Sequence, residues 1–355
     1  MNKLNVAIIG QGRSGKDIHG CYFRSERNKF FNVKYVVEFD AKRREISKEI
    51  YPGCECLENY TELFGKDIDL VVNASYSDMH YPITKDLLSH GINVIVEKPF
   101  GRNTYECDDL IRTAKENGVV LAVFQNSSTA PYCVHAKELM NKGVFGDVKQ
   151  ISICFNGFSR RWDWQTLQKK MGGSVYNTGP HPIGLALEFL DYDKNISVVY
   201  SKLDLALTSG DAEDYAKIVL AAPGKPVVDI EINSTDVYSD YNIKIQGTKG
   251  GMKSTTRAYE YKFLDWKDFE PRPLIEASLR DEKDNPIYCS EKLDFHEEKG
   301  TYPGTAFDIG TATIYENVYN VLNGKAELII KPEKVKQLIG IIEKVHADNY
   351  IERKY

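Results

Sequence analysis

Val6-Ala7-Ile8-Ile9-Gly10-Gln11-Gly12-Arg13-Ser14-Gly15 joins a short apolar run to three glycines spaced Gly-x-Gly-x-x-Gly, and an amphipathic stretch follows. The glycine spacing alone is weak, but after a strand and before a helix it reads as a dinucleotide-binding turn. Gly10 then allows the tight turn, Gly12 lets a pyrophosphate approach the backbone, and Gly15 lets helix and strand pack closely. The amides around Arg13 and Ser14 would aim at the phosphates. A glycine-rich turn without a ligand is the other reading, and the pattern further along the chain weighs against it.

Outward from this stretch, short β-branched runs alternate with amphipathic segments up to Phe124. Val33 to Val37, Ile68 to Asn73, Val94 to Glu97 and Val119 to Phe124 are nearly continuous apolar runs, as expected of parallel strands buried on both faces. Helices are expected over Pro82 to His90 and Tyr105 to Asn117, ended by Gly91 and Gly118 in left-handed caps. After Asn126 the rhythm changes. A helix is expected over Ala130 to Asn141, a turn over Gly143 to Asp147, and then strand-like segments at Ser197 to Leu207, Tyr215 to Ala221, Val227 to Ile232 and Tyr241 to Ile245. Gly172 to Leu190 is the main helical region of this part. Lys331 to Asn349 starts with Pro332 at a first helical position and repeats Val335, Leu338, Ile342 and Val345, so it reads as a packed terminal helix. The expectation is an α/β protein: a doubly wound parallel sheet over residues 1–125, an α+β domain with a mostly antiparallel sheet over 126–330, and a helix over 331–355 packing back on the body.

A chain of 355 residues exceeds the size at which one core usually stops growing. With 42% apolar and 27% charged residues it has the composition of a globular protein. A net charge of −5 without a Lys/Arg cluster argues against a nucleic-acid partner. The seven cysteines are scattered, only Cys54 and Cys56 lying close together, and read as reduced thiols. The start of the chain has no secretion-like pattern, and no segment reaches the roughly 20 apolar residues that cross a bilayer. A cytoplasmic protein with no membrane partner is expected. His, Cys and Asp lack metal-ligand spacing, so no metal site is expected.

Several residues carry candidate chemistry. Glu38 follows the second strand about 20 residues past the glycines, where an acid accepts from the adenosine ribose and repels a 2′-phosphate, favouring NAD over NADP. Arg43 and Arg44 leave the opposite preference open. Glu97-Lys98-Pro99 ends the fourth expected strand, at the edge where open α/β sheets bind ligands, and Lys98 could orient or polarise a hydroxyl there. In Gly172-Gly-Ser-Val-Tyr-Asn-Thr-Gly-Pro-His181, His181 is the candidate general acid/base. Asn177 is expected one turn earlier on the same helix face, and Pro180 and Pro182 suit a first helical turn. A histidine capping a buried helix end is the alternative. Arg161, Trp162 and Trp164, with Tyr176, are candidate sugar contacts, although tryptophans also build cores. Tyr81-Pro-Ile-Thr-Lys85 has the tyrosine-lysine spacing of short-chain dehydrogenases, but Pro82 and the early position argue against it.

The glycine turn, Glu97-Lys98-Pro99 and the Gly172 to His181 segment together resemble the Gfo/Idh/MocA family, over essentially the whole chain. Ser75 to His80 is similar to that family's cofactor-contacting turn, Gln125-Asn126 to its domain junction, and Ile314-Tyr-Glu-Asn317 to its end. The resemblance implies a Rossmann domain binding a nicotinamide cofactor, with Ser75, His80, Glu97 and Asn126 in the cofactor site and Lys98 and His181 facing the nicotinamide. It also implies a second domain whose large open sheet serves a dimer or tetramer. The implied reaction is oxidation of a ring hydroxyl in a sugar, glycoside or cyclitol. Three positions depart from the family pattern. Asn177 stands for a usual aspartate, Ser127-Ser128 for a common arginine, and Gly184 for a common aspartate. An amide at 177 supplies no negative charge, so His181 must act with less electrostatic support.

The expected reaction is removal of a hydroxyl proton by His181 while hydride passes to NAD, with C3 of a glucoside as the favoured carbon. A redox-neutral, NAD-dependent glycosidase and a non-catalytic sugar or nucleotide sensor on the same fold are the alternatives.

Overall fold

The computed structural model describes residues 3–355. Its first layer is a six-stranded, wholly parallel sheet made of β1 (Leu4–Ile9), β2 (Phe31–Val37), β3 (Glu55–Leu57), β4 (Leu70–Asn73), β5 (Val94–Glu97) and β6 (Leu121–Phe124). The spatial order is β3-β2-β1-β4-β5-β6. Strand order reverses between β1 and β4, which opens a crevice at their carboxyl ends. Helices α1 (Gly20–Arg24), α2 (Ala41–Ile50), α3 (His80–Ser89) and α4 (Thr104–Glu116) flank the sheet. Gly91 and Gly118 end α3 and α4 with φ of 75° and 65°. Asp40 and Asn103 start α2 and α4 by accepting from the amides of Arg43 and Glu106. Val6, Ala7, Ile8, Val71, Val72, Val94 and Ile95 are fully buried, because both faces of these strands are covered.

Helix α5 (Pro131–Asn141) leads to a second, eight-stranded sheet. Its strands are β7 (Val148–Cys154), β8 (Ser197–Asp204), β9 (Tyr215–Ala221), β10 (Val227–Asn233), β11 (Ile243–Gly247), β12 (Gly250–Ser254) and β13 (Ala258–Phe263), with a strand at His296–Thr301. A small ribbon, β14 (Leu279–Arg280) with β15 (Pro286–Ile287), precedes that last strand, β16. The order is β16-β13-β12-β11-β7-β10-β9-β8, antiparallel except where β7 meets β10. Ile151, Ile153, Ile218, Val228, Ile230, Ile243 and Ile245 alternate onto one buried face. The opposite face carries polar groups such as Lys217, which bridges Asp229 at 2.8 Å and Glu231 at 3.2 Å.

Helices α6 (Ser174–Asn177), α7 (Pro180–Phe189), α8 (Thr311–Leu322) and α9 (Pro332–Asp348) complete the fold. α7 packs on β7 and β10, while α9 touches α4, β6, α7 and β8, tying the two sheets together. Val335, Leu338, Ile342 and Val345 are all buried on the inner side of α9.

The second sheet has eight strands where four were expected, β7, β12, β13 and β16 being the additional ones, and two further details differ. The three-residue strand β3 is too short to have shown an apolar run. The segment expected to be strand as far as Leu207 ends at Asp204, because the amides of Ala206 and Leu207 donate to the Asp214 carboxylate at 2.6 and 2.8 Å instead of continuing the ladder.

Candidate active site

The glycine turn is built from close contacts. Gly10 has φ of 87°, and a Cβ there would lie 2.5 Å from the Ala74 carbonyl oxygen. A Cβ on Gly15 would lie 1.9 Å from the Gly10 carbonyl oxygen. Gly12 differs, since a Cβ there would meet nothing within 4 Å. The two outer glycines therefore serve packing, and the central one leaves space at a helix start, where the wide-turned helix Arg13–His19 continues into α1. The residues present fit a dinucleotide pyrophosphate.

From this turn a cavity of about 660 Å³ runs to the 161–165 loop and the start of α7, lined by Gly10, Gly12, Arg13, Ser14, Glu38, Ser75, His80, Glu97, Lys98, Asn126, Arg161, Trp164, Asn177 and His181. That volume lies within the ~300–1,000 Å³ usual for small-molecule sites. Tyr76 and Trp164 meet edge to face at 5.0 Å, and Lys170 pairs with Asp78 at 2.8 Å, so the turn after β4 and the loop before α6 touch across the cavity.

At the adenosine end Glu38 is buried. Its carboxylate accepts from the Gln11 amide at 2.7 Å and the Asp40 amide at 3.0 Å, with Arg43 at 3.8 Å. It ties β2 to the glycine turn while still lining the cavity. Arg44 donates to the carbonyls of Glu38 and Phe39.

At the other end Lys98 Nζ donates to the Asn177 carbonyl at 2.8 Å. Burial lowers its pKa, Glu97 opposes this, and Arg13 and Arg161 lower it further. His181 lies in the first turn of α7, its ring parallel to Phe155 at 6.2 Å. Burial, then the charges of Lys98 and Arg13, bring its pKa to about 3 against the pull of Glu97. His181 is therefore neutral at physiological pH, with a lone pair available in the cavity.

Behind this pair lies a buried chain of polar groups. Glu97 accepts from His19 Nε2 at 3.0 Å and from the Lys98 amide at 3.0 Å, while His19 Nδ1 bonds the Tyr315 hydroxyl at 2.7 Å. Burial pushes the Glu97 carboxyl up, but the His19 hydrogen bond, with the charges of His19 and Lys98, holds it down to about 2. Glu97 is therefore a fixed negative charge next to Lys98. Nothing in the sequence marks His19, a lone histidine in a helix, whereas Tyr315 belongs to the Ile314–Asn317 segment singled out there.

Some candidate residues sit elsewhere than expected. Asn177 and His181 do not share a helix face. The chain breaks at Thr178-Gly179, Asn177 ends α6, and its backbone carbonyl is what meets Lys98. Trp162 is 78% exposed and outside the cavity wall. Tyr176 points away too, donating to the Arg102 carbonyl at 2.8 Å and stacking on His346 at 4.8 Å. His80 is buried at the cavity wall with its ring between the Pro99 carbonyl at 2.9 Å and the Ser75 carbonyl at 3.1 Å, one of which accepts its single N–H, so it packs the cis Lys98-Pro99 loop against the turn after β4. Asn126 is held by the Ala306 carbonyl at 3.2 Å. Gly184 allows Gln125 to cross α7, because a Cβ there would lie 2.6 Å from Gln125 Nε2, which donates to the Pro180 carbonyl. Among the described residues, no group of three or more His, Cys, Asp or Glu side chains could hold a metal, and no helix is long and apolar enough to cross a membrane.

Residues 4–125 match the Gfo/Idh/MocA oxidoreductase profile, described as having an NAD-binding Rossmann fold, and residues 133–253 match that family's C-terminal domain. The chain belongs to the Gfo/Idh/MocA family. Among its relatives, a 2,7-anhydro-N-acetylneuraminate hydratase of Mediterraneibacter gnavus is 24% identical over 261 residues, 71% of this chain and 67% of that protein. The NADP-linked scyllo-inositol 2-dehydrogenase of Bacillus subtilis is 24% identical over 200 residues, 56% of this chain and 54% of that protein. A solved NAD-binding protein from Listeria innocua superposes with a TM-score of 0.80 at 22% identity, covering 98% of each chain, and this likeness speaks for the fold alone. Membership makes the chain an oxidoreductase with an NAD(P)-binding domain, and Asn177, one of the positions departing from the pattern, lines its cavity.

Proposed function

We propose that this protein oxidises a secondary ring hydroxyl of a sugar, glycoside or cyclitol, with His181 accepting the hydroxyl proton and Lys98 holding the oxygen. The observation that carries the reading is a neutral histidine and a lysine on the wall of a cavity that begins at a dinucleotide turn. A nicotinamide dinucleotide held by the turn at Gly10 to Gly15 would supply the hydride acceptor. Lys98, fixed between the Asn177 carbonyl and the charge of Glu97, stabilises the negative charge that grows on the oxygen as its proton leaves. His181 resists a proton while the oxygen is neutral and takes it as that charge develops beside Lys98. Arg161 and Trp164 are the proposed sugar contacts. Glu38, lining the cavity beside the glycine turn, favours NAD over NADP because its charge would repel a 2′-phosphate.

We further propose the division into residues 1–125, 126–330 and 331–355, a cytoplasmic location and a homo-oligomer. C3 of a glucoside remains the favoured carbon. The hydratase among the relatives supports a second reading, in which oxidation, elimination, water addition and re-reduction proceed with no net change of NAD. Stoichiometry tests the two: the first predicts one reduced cofactor per ketone formed, the second a changed sugar with none. Binding of a sugar with neither outcome would leave a sensor.

A further inference from the structure

A second cavity of about 240 Å³ opens from the wall of the first, sharing Arg161, Gln165, Asn177 and Thr178 with it and running over the ends of β7 and β10. Its walls carry polar groups, among them Asn156, Gln165, Ser174, Thr178 and Asn233. The Asn156 nitrogen donates to both Glu231 and Asp236 at 3.0 Å, which commits its oxygen to accept. A ligand that fills the chamber must match these hydrogen-bonding groups or leave them unpaired at a cost.

The charges around the chamber decide what kind of donor. Its two carboxylates are already engaged by backbone amides. Glu213 accepts from Val175 at 2.9 Å, and Asp214 accepts from Ala206 and Leu207. An ammonium would meet carboxylates already held by backbone amides and would have to pass Arg161, which is gripped by Asp163 through two 3.0 Å contacts at the entrance. An anion would face the two carboxylates, Glu213 and Asp214. Neutral hydroxyls fit. The volume falls below the range for drug-sized ligands and is of the scale of one sugar ring.

We infer that the substrate has two rings, and that an uncharged, hydroxyl-bearing ring occupies this chamber while the neighbouring ring is oxidised between Lys98 and His181. The inference rests on the proposed function and narrows it to disaccharides and glycosides with a polyhydroxylated aglycone. Single sugars, cyclitols and sugar acids become poor substrates.

The test measures kcat/KM with NAD for methyl glucosides, a panel of glucosyl disaccharides and their uronic-acid counterparts. At least one neutral disaccharide should exceed the methyl glucoside by about tenfold or more, the weight of roughly one good hydrogen bond. The matching uronic acid should lose that advantage. Gln165→Met, which keeps the length of the side chain and removes its acceptor, should shrink the two-ring to one-ring ratio by a similar factor. Oxidation of methyl glucoside with no disaccharide preferred would overturn the inference and leave the proposed function standing. Oxidation of neither would overturn both.

Discussion

His181→Ala should lower kcat by roughly 10²–10⁴, the usual weight of a positioned general base, while dinucleotide affinity, measured by calorimetry, stays near the parent value. Unchanged turnover would remove His181 from the mechanism. Its pKa of about 3 makes a second prediction. The active form is neutral, so the acid limb of kcat/KM should show no titration near the ordinary histidine value of about 6.5. Asn177→Asp would add a carboxylate to the same cavity, raise the His181 pKa and move the acid limb upward; a profile identical to the parent would contradict this. Lys98 and His181 were legible because chain punctuation fixes them: one ends a strand before proline, the other lies between two prolines. Trp162 and Tyr176 were not, since spacing along a loop or short helix does not say which side faces the ligand. Composition likewise gave no sign that Asn177 meets Lys98 through its carbonyl.

At the scale of elements, the glycine turn separates packing from binding. Gly12→Ala should fold with an unchanged Tm and bind the dinucleotide at least about tenfold more weakly, because its methyl enters the space left for phosphate. Gly10→Ala combines a left-handed backbone with a 2.5 Å overlap and should lower Tm itself. Equal behaviour of the two variants would refute this division. Tyr315→Phe leaves buried His19 Nδ1 without its partner and should cost about 1–3 kcal/mol in chemical denaturation. The sequence placed most elements to within a few residues, since buried parallel strands and glycine-capped helices leave strong periodic marks. It misjudged places where a side chain replaces the backbone ladder, as Asp214 does after β8, and the break at Thr178-Gly179, across which Asn177 and His181 were expected to share one helix face. The buried link from β5 through His19 to α8 joins residues far apart in the chain, and local patterns carry no trace of it.

For the whole molecule, acid should act well before the carboxylates titrate. His181 and His80 have pKa values lowered first by burial, and His135 likewise. Above about pH 6.5 they are neutral folded and unfolded, and contribute no pH dependence. As pH falls below that value the unfolded chain takes protons the folded state refuses, and stability drops by up to on the order of 1.4 kcal/mol per pH unit for each of His181 and His80, and by less for the solvent-screened His135. Glu97, held down to about 2, adds a loss as pH falls from about 4.5 towards 2. His346 works the other way. Burial opposes its charge, but Glu213 at 3.6 Å raises its pKa, so its contribution is present at low pH and fades as pH rises through the raised value. Urea unfolding from pH 7.5 to 5 should show falling stability, less steep in His181→Gln; parallel curves would contradict the neutral His181. The two-layer architecture was readable from the switch between buried strand-helix alternation and antiparallel spacing, whereas the polar chamber beside the active site arises from the segments after β7, between β8 and β9 and at the end of β10, and could not be read from sequence.

The most direct test mixes the purified protein with NAD and a panel of inositols, hexoses, glucosides and disaccharides, following reduced-nicotinamide absorbance together with product mass. The account predicts a ketone two mass units lighter than its substrate, formed with an equal amount of reduced cofactor. A sugar altered by water addition or bond cleavage with no reduced cofactor, or no product from any hydroxyl compound, would contradict it.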